Sequence, residues 1–486
     1  GVLAAPAPYA APAAYYFPNA GRMYAIEVLK GSSQVQYGPF TTGGAINMVS
    51  TPIPSRFTAK LNTSYGSYNT LKSYASIGNR FKYTGFLVEY LRYQSDGFRK
   101  DEPNERTGFK RNDLITKFSA QTNRDEGLHL FELKFGFANE TSDETYLGLS
   151  ESDFAMRPYF RYAGAQKDNL KTRHTQWVAT YLIKAGSKFK ITTNLYYNYF
   201  FRNWYKLNEV RAGITKAERR SIDAVLADPE TNRDYFDIVT GKKDYIGEAL
   251  MLRANHRVYR SRGIQSKGEY RMMLGGGYLT AELGVRYHAD SEDRFQQDDA
   301  YAIQGGRMSL FLAGQPGDNA NRITTAHAWS GYWLGKWSKG ILTLTVGMRY
   351  EDVELLNRNY TKADPRRTGK VRIETPNHAH ALLPGLGFNV KILPVLSAFG
   401  GIHKGFAPPS AVLNQKPESS VNVEAGLRLT TQKMKFEAIV FNNNYSNMLG
   451  SDLAAQGGQG TLDQFNVGKA TINGLELMFH YLPLPR

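Results

Sequence analysis

Apolar and polar residues alternate along most of the chain from about residue 57 onward. In residues 189–202, "FKITTNLYYNYFFR", the parity that runs from Phe189 to Phe201 is mostly apolar. The other parity, from Lys190 to Arg202, is mostly polar. A period of two residues over this length predicts a β-strand with one apolar and one polar face. The stretches 128–137 and 342–351 alternate in the same way, the first more weakly.

These segments are longer than the five or six residues of an ordinary soluble strand. Aromatic residues lie near their ends, as in "LYYNYFFRNWY" and "FLVEYLRY". Short connections such as 63–71 contrast with long polar ones near 94–112, 138–172, 203–248 and 288–325. Together these features are typical of a transmembrane antiparallel β-barrel, so we predict an all-β fold with roughly 16–18 strands after Pro52. A large soluble β-sandwich is the alternative, and the lack of a repeat of about 40–50 residues disfavours a propeller.

One long connection, 203–248, also predicts a helix. Thr215 and Glu218 match the spacing of a capping box. An apolar stripe follows at Ile222, Val225 and Leu226, and the pair Asp228-Pro229 ends it.

Composition narrows the functional classes. The chain has 486 residues and no cysteine, which excludes a disulfide framework, a cysteine zinc site and a thiol nucleophile. No apolar run is long enough for a transmembrane helix, and the first residues lack the features of a signal peptide. The net charge of +16 indicates an anionic partner. Nucleic acid is a poor candidate for that partner, because the basic residues are spread along the chain without a reader motif.

The stretch 26–50, "IEVLKGSSQVQYGPFTTGGAINMVS", is rich in glycine. Gly38 to Gly43 has the spacing of a phosphate-binding loop, but Gly44 follows where that loop has lysine. Pro52 and Pro54 come too soon for the helix that the loop requires. The pattern therefore favours a turn-and-strand element whose glycines permit positive φ.

The same stretch resembles the C-terminal part of the plug domain of TonB-dependent outer-membrane receptors. The matching positions include Glu27, Lys30, Gly31, Tyr37, Gly38, Gly43, Gly44 and Asn47. Two further stretches, "SDGFR" (95–99) and "GIHKGFAPPS" (401–410), are similar to barrel strands of that family.

The resemblance implies a plug segment at 1–52 and a receptor barrel at 53–486. The family barrel has 22 strands, so we expect the chain to lack the energy-coupling segment, the first half of the plug and the last strands. It also implies a monomeric receptor in the outer membrane of a Gram-negative bacterium. Such a receptor works with TonB, contacts lipopolysaccharide and outer-membrane lipid, and has no cofactor.

Within the family the chain is most similar to ferric dicitrate receptors. The likeness rests on "APAPYAAPAAYYFP", "RPYFRY" (157–162), "AHAW" (326–329) and "VGMRYEDVE" (346–354). It implies uptake of a ferric chelate, which would be the ligand. Two departures put citrate itself in doubt, because Ala11 and Leu449 stand where those receptors have glutamine.

Arginine suits an anionic chelate because its fork binds carboxylates through two hydrogen bonds. Arg202 is the first candidate, since it shares the polar parity of its strand and matches a family arginine. The other candidate ligand-binding residues are Tyr9 in the plug loop, Arg211 and Arg322 in long loops, and Arg157 with Tyr159.

For three other groups of residues, an ordinary structural role is the alternative to a functional one. His378 and His380 lie two apart and would share a strand face, but no third metal ligand is evident, so no metal site is predicted. The acidic run Asp290, Glu292, Asp293, Asp298 and Asp299 lacks the pattern of a calcium loop and is predicted to be a solvated loop. In the family, plug charges pair with barrel charges; Glu27 and Lys30 have this role or lie on a solvated strand edge.

Three alternative functions stay open at this point. A TonB-dependent receptor could import cobalamin, a nickel chelate or a carbohydrate. An enzyme within a barrel is disfavoured because the nine histidines form no Asp/His or Ser/His motif. A passive porin is disfavoured by the presence of the plug-like stretch.

Overall fold

The computed structural model describes residues 1–12, 16–29, 31–99, 107–122, 127–143, 145–213, 218–451 and 464–483. We call residues 1–52 the N-terminal segment. It contains two short strands, β1 (Met23–Leu29) and β2 (Ala45–Ser50), which pair antiparallel in a sheet of their own. A 3₁₀ turn at Gly31–Gln36 follows β1 and packs against barrel strands.

The remaining strands form the wall of a barrel. They are β3 (Thr58–Gly66), β4 (Thr70–Arg80), β5 (Thr84–Ser95), β6 (Phe109–Gln121), β7 (Leu128–Ser142), β8 (Asn169–Ala185), β9 (Phe189–Arg211), β10 (Arg219–Ser221), β11 (Tyr245–Leu274), β12 (Gly277–Gln304), β13 (Arg307–Leu312), β14 (Ala320–Lys339), β15 (Leu342–Asn359), β16 (Ile373–Leu393), β17 (Leu396–Ala407), β18 (Glu418–Thr430), β19 (Met434–Ser451) and β20 (Gln464–Tyr481). Consecutive long strands pair antiparallel, while β10 and β13 are short additions beside β9 and β12. The all-β barrel predicted from the alternation is confirmed.

The barrel wall is packed on one side and open on the other. The strand order places β20 next to β3. Side chains on both faces of β3 are exposed, and so are nearly all of those described along β20. By contrast, the inward side chains of β9 to β17 are largely buried, because the N-terminal segment packs against them. The strand order is thus closed by β20 beside β3, where few side chains are buried.

The alternation in residues 189–202 correctly predicted which side chains face inward. Tyr196, Asn198, Phe200 and Arg202 are buried, whereas Leu195 and Tyr197 are exposed on the outer surface. Side chains of opposite parity point to opposite faces of a strand, so the polar parity lines the barrel interior.

The predicted limits of two long loops were wrong. β9 continues to Arg211, β12 runs through the acidic stretch to Gln304, and β14 already begins at Ala320. Polar residues do not end a strand when backbone hydrogen bonds continue with both neighbours, and here they extend the wall beyond the apolar band.

Helices lie in the long connections. They are α1 (Glu151–Met156), α2 (Ile222–Ala227) and α3 (Arg233–Thr240). The predicted helix is confirmed as α2, which ends before Asp228. Its N-cap residue is Ser221, whose hydroxyl accepts from the backbone amide of Ala224. Thr215, the predicted cap, lies outside the described residues. Among the described residues, no helix is long and apolar enough to cross a membrane.

The long connections pack together into a hydrophobic cluster at their end of the barrel, which we call the cap. Its buried members come from three connections and the adjoining strand ends. They include Leu147, Tyr162, Leu207, Val210, Ile222, Val225, Phe236, Val239, Leu250, Ile303 and Met308. A core of this size gives the connections a fixed arrangement, since each buried aliphatic or aromatic side chain contributes about 1.5–3 kcal/mol.

A buried carboxylate, Asp168, ties the cap to the wall. One carboxylate oxygen accepts from the amide of Leu207 at 2.9 Å. The other accepts from the Thr145 hydroxyl at 3.1 Å and the Tyr146 amide at 3.3 Å. Burial raises the pKa of Asp168 to about 6, although these donors and the Arg161 charge act in the opposite direction.

The cap should therefore be more stable in mild acid than at neutral pH. A carboxyl group whose pKa is raised by folding favours the folded state while it is protonated, and this contribution is lost as the pH rises through about 4 to 6. The loss amounts to about 2–3 kcal/mol. Hydrogen exchange of the cap amides, corrected for intrinsic rates, should show this loss as weaker protection at neutral pH than in mild acid. Asp168→Asn is expected to make the protection nearly independent of pH. If the variant keeps the pH dependence of the parent, the effect belongs to other groups.

Candidate ligand-binding site

Four arginines lie side by side on the inner wall, towards the long-loop end. Strand register places Arg202 of β9 opposite Arg257 of β11. Arg257 is in turn opposite Arg294 of β12, and Arg294 is opposite Arg322 of β14. We call these four residues the arginine row. Directly opposed side chains on adjacent strands have Cβ atoms about 4.5–5.5 Å apart, so the row is a line of four neighbouring cationic side chains.

The row is largely shielded from solvent. Arg202 is 1% exposed, Arg257 6% and Arg294 7%, while Arg322 is half-buried. Like charges at neighbouring positions repel one another more strongly where water is scarce. An anion bound along the row would reduce the part of that repulsion that Glu292, between Arg257 and Arg294, does not already offset, which makes the row a candidate anion site.

The polar partners of the row lie one step further into the barrel. Arg202 Nε donates to the Tyr259 hydroxyl at 3.1 Å. Arg257 Nη1 donates to Glu292 Oε1 at 3.0 Å, and Arg294 Nε lies 3.5 Å from the same oxygen. Arg257 Nε is buried without a hydrogen-bond partner among the described residues. A ligand carboxylate could therefore gain a donor at Arg257 without displacing Glu292.

The N-terminal segment forms the floor beneath the row. Ala7 is packed between Phe200 and Tyr259, with Ala11 and Tyr16 alongside. Phe200 and Tyr259 occupy the strand positions adjacent to Arg202 and Arg257 on the inner face. The floor directly below the guanidinium groups is therefore apolar and aromatic.

Deeper in the barrel, Tyr9 joins the N-terminal segment to buried charges of the wall. The two oxygens of Asp290 accept from the amides of Tyr9 and Ala10, both at 2.9 Å. The Tyr9 hydroxyl donates to Glu351 Oε2 at 2.9 Å and accepts from Arg286 Nη2 at 3.0 Å. Tyr9, a predicted ligand-binding residue, is thus fully buried with its hydroxyl engaged in the wall.

Further contacts fix the rest of the N-terminal segment. Arg22 Nε lies 2.6 Å from Asp113 Oδ2, and both side chains are nearly inaccessible. The backbone amide of Thr41 donates to the Phe406 carbonyl at 2.9 Å. Gly38 lies so close to the wall that an added Cβ would be 2.6 Å from Glu351 Oε1. A larger residue at this position would have to displace the Glu351 and Arg349 side chains.

The residues of the plug-like motif have different structural roles. Gly44 has φ +139°, the conformation that favours glycine, and an added Cβ at Gly43 would meet open space. Glu27 is exposed and accepts from Asn47 on the neighbouring strand at 2.7 Å, so its partner lies within the segment and not in the barrel. Gly31 begins the 3₁₀ turn that Tyr37 follows. Lys30 lies outside the described residues.

The structure brings together only part of the predicted ligand set. Arg202 and Arg322 belong to the arginine row. Arg211 lies higher on the wall and pairs with Glu248 at 3.0 Å. Arg157 is exposed and lies over the Phe160 ring at 4.1 Å.

Tyr159 lies apart from the row in the same connection as Arg157. Its side chain is 62% exposed and its ring meets Phe98 edge-on, with centroids 5.7 Å apart.

Sequence reasoning missed Arg257 and Arg294, the two central members of the row. Arg257 belongs to a polar parity that also holds Asn255, Tyr259 and Ser261, and that parity was the available signal. Arg294 was hidden because its stretch was predicted to be a loop, whereas it belongs to β12.

The acidic run was also misassigned as a solvated loop. Asp290 and Glu292 are each 5% exposed and face inward to the N-terminal segment and the arginine row. Asp293 pairs with Arg367 at 2.7 Å, and Asp298 with Arg253 at 2.8 Å. The carboxylates are placed by strand register, which composition does not reveal.

The comparison with protein families identifies the chain. The model described as "TonB dependent receptor-like, beta-barrel" matches residues 30–482. The chain belongs to this receptor family. The resemblance inferred from the plug-like motif is thereby confirmed.

Solved structures of iron receptors share the fold of this TonB-dependent receptor. The unliganded ferric citrate transporter FecA is 20% identical with a TM-score of 0.72, and the match covers 98% of this chain and 64% of FecA. The ferric yersiniabactin receptor FyuA from Yersinia pestis is 13% identical with a TM-score of 0.67, and the match covers 95% and 64%. The ferric-catecholate receptor Fiu from E. coli K12, in its closed form, is 12% identical with a TM-score of 0.69, covering 96% and 68%. The chain thus spans about two thirds of the length of these receptors.

Proposed function

We propose that this chain forms the ligand-binding barrel and part of the plug of an outer-membrane receptor that imports an anionic ferric chelate. The long-loop end would face the outside of a Gram-negative cell, and import to the periplasm would be driven through TonB. Members of this family are receptors for transport and not enzymes. The observation that carries the proposal is the arginine row, because its guanidinium groups can bind carboxylate or other anionic oxygens of a chelate.

The floor of the site bears on which chelate is bound. Ala11 offers no side-chain amide to a ligand, and it packs beside Phe200 and Tyr259. Leu449, at the other glutamine position, donates its backbone amide to Glu418 Oε2 at 2.8 Å. We therefore propose that the ligand is an anionic ferric chelate with apolar or aromatic parts, in preference to ferric citrate itself. Other proposed features are a monomeric state, contact with lipopolysaccharide and no nucleic-acid partner.

Binding of a chelate panel to the full-length receptor tests this function. The panel would contain ferric citrate, a ferric hydroxamate, a ferric catecholate, cobalamin, a nickel chelate and an oligosaccharide, and intrinsic fluorescence would report binding. We expect an anionic ferric chelate to bind most tightly. Binding of cobalamin, nickel chelate or sugar alone would replace the iron assignment with one of the alternative nutrients.

Replacing Arg202 by alanine should then weaken binding of that chelate by about 10–100-fold, because one charge-assisted hydrogen bond contributes about 1.5–3 kcal/mol. Arg157→Ala is the matched control, since Arg157 is an exposed loop arginine outside the row. Equal affinities of the Arg202 variant and the parent would remove Arg202 from the site. Circular dichroism and heat-modifiable gel mobility would show that both variants are folded.

A further inference from the structure

A second cluster, made of side chains of the types that bind metal ions, lies on the outer surface of the barrel, away from the arginine row. Asp352, His378 and His380 each present one ligand atom, and these atoms all lie within 4.8 Å of one another. The sequence offered only the two histidines, whereas the fold supplies a carboxylate as a third group.

Strand register explains how the three side chains meet. His378 and His380 lie two residues apart on β16 and share one face. Asp352 of β15 is directly opposite His380 and diagonal to His378. The His378 Nε2 atom is 2.9 Å from Asp352 Oδ1, and the two imidazole ring centroids are 5.9 Å apart.

The cluster lies on the outer face of the barrel wall and not in the lumen. Residues of the same parity on β15, such as Met348 and Tyr350, are apolar and exposed, while the opposite parity at Arg349 and Glu351 is buried in the barrel. Asp352 is ten positions beyond Leu342, the first residue of the strand. At about 3.3 Å per residue and a tilt of about 40°, that is about 25 Å, the height of the apolar band of such barrels.

We propose that Asp352, His378 and His380 bind a borderline divalent transition-metal ion, such as Zn²⁺, at the outer rim of the apolar band. Two imidazoles and one carboxylate are a ligand set that suits Zn²⁺, Co²⁺, Ni²⁺ or Cu²⁺. A tetrahedral ion with bonds of about 2.0–2.2 Å needs ligand atoms about 3.3–3.6 Å apart. The present separations reach that value through small side-chain rotations at an exposed surface.

The position of the site indicates what the ion would do. It would link β15 to β16 across the sheet on the surface opposite the arginine row, so the chelate would not meet it. The metal would stabilise the barrel wall and leave transport unchanged. This inference is independent of the proposed function, because it rests on residues of the other face.

Cobalt provides the test, because four-coordinate Co²⁺ bound to nitrogen and oxygen ligands absorbs visible light much more strongly than the hydrated ion does. The receptor, purified in detergent without a histidine tag, would be titrated with Co²⁺, and Zn²⁺ would then be added in competition. We expect one equivalent of Co²⁺ to bind and to be displaced by Zn²⁺. The His378→Ala/His380→Ala double variant and Asp352→Asn should lose at least nine tenths of the signal. Zn²⁺ should also raise the thermal unfolding midpoint of the parent and not that of the variants.

A matched control is His129→Ala. His129 is an exposed histidine on β7 whose ring contacts the Tyr181 hydroxyl at 2.8 Å, and its loss should leave Co²⁺ binding unchanged. Absence of Co²⁺ binding to the parent would overturn the inference. So would equal binding by the double variant, since the ion would then lie elsewhere. Chelate binding measured on the double variant should match that of the parent, which keeps this result separate from the receptor assignment.

Discussion

Replacing Glu351 by alanine is expected to destabilise the folded receptor by about 3–5 kcal/mol, the cost of removing one partner from a buried ion pair. The Glu351 side chain is fully buried. Its carboxylate accepts from Arg349 Nε at 2.7 Å and from the Tyr9 hydroxyl at 2.9 Å, and it lies 3.5 Å from Arg286 Nη2. Alanine would leave two buried guanidinium groups without this carboxylate, and the N-terminal segment would lose a contact with the wall.

Urea unfolding of the receptor in detergent, followed by tryptophan fluorescence, measures this effect. Glu374→Ala is the matched control, because Glu374 pairs with Arg358 at 3.1 Å on the neighbouring strand but is 41% exposed. An exposed ion pair contributes about 0–1 kcal/mol, so the control should unfold almost as the parent does. Similar losses in both variants would show that the buried network around Glu351 has no special role.

Asp290→Asn should loosen the N-terminal segment while leaving the barrel wall folded. The aspartate accepts two backbone hydrogen bonds, from Tyr9 and Ala10, with one oxygen each. Asparagine is nearly the same size but presents one oxygen and one amide nitrogen, so at least one buried backbone donor loses its acceptor. A hydrogen bond to a charged group contributes about 1.5–3 kcal/mol, which corresponds to a rise of about 10–100-fold in local opening.

Hydrogen exchange of the peptide that contains Tyr9 and Ala10 reads this opening directly. The control is Asp298→Asn on the same strand, because Asp298 binds Arg253 at 2.8 Å, away from the N-terminal segment. Exchange of the Tyr9 peptide should rise only in the Asp290 variant. Unchanged exchange in both variants would mean that other contacts suffice to hold the segment.

Sequence reasoning predicted the barrel well because strand alternation is a local property. The parity of residues 189–202 followed directly from the side chains themselves, and it placed Arg202 on the inner face. The upper limits of β9 and β12 did not follow, because strands outside the apolar band need no apolar face. The acidic stretch around Asp290 was therefore mistaken for a loop, and with it Arg294.

The candidate site was only partly predictable for a related reason. The arginine row exists because four strands are aligned so that Arg202, Arg257, Arg294 and Arg322 become neighbours. A shift of one residue in any of these registers would turn an arginine to the opposite face. The same holds for Asp352, which strand register brings to the two histidines. No spacing along the chain encodes such alignments.

The Tyr9 network has a consequence for the order of assembly. Tyr9 and Glu351 are 342 residues apart, Thr42 and Ser420 are 378 apart, and Thr42 and Tyr445 are 403 apart. Contacts over such distances form late, because the entropy of closing long loops is lost before the contacts compensate for it. We therefore expect the residues nearest the start of the chain to acquire their wall partners late in folding. A wall with β12, β15 or β18 out of register would not present the partners of Tyr9, Ala10 and Thr42, so we expect docking of this segment to favour the correctly assembled barrel.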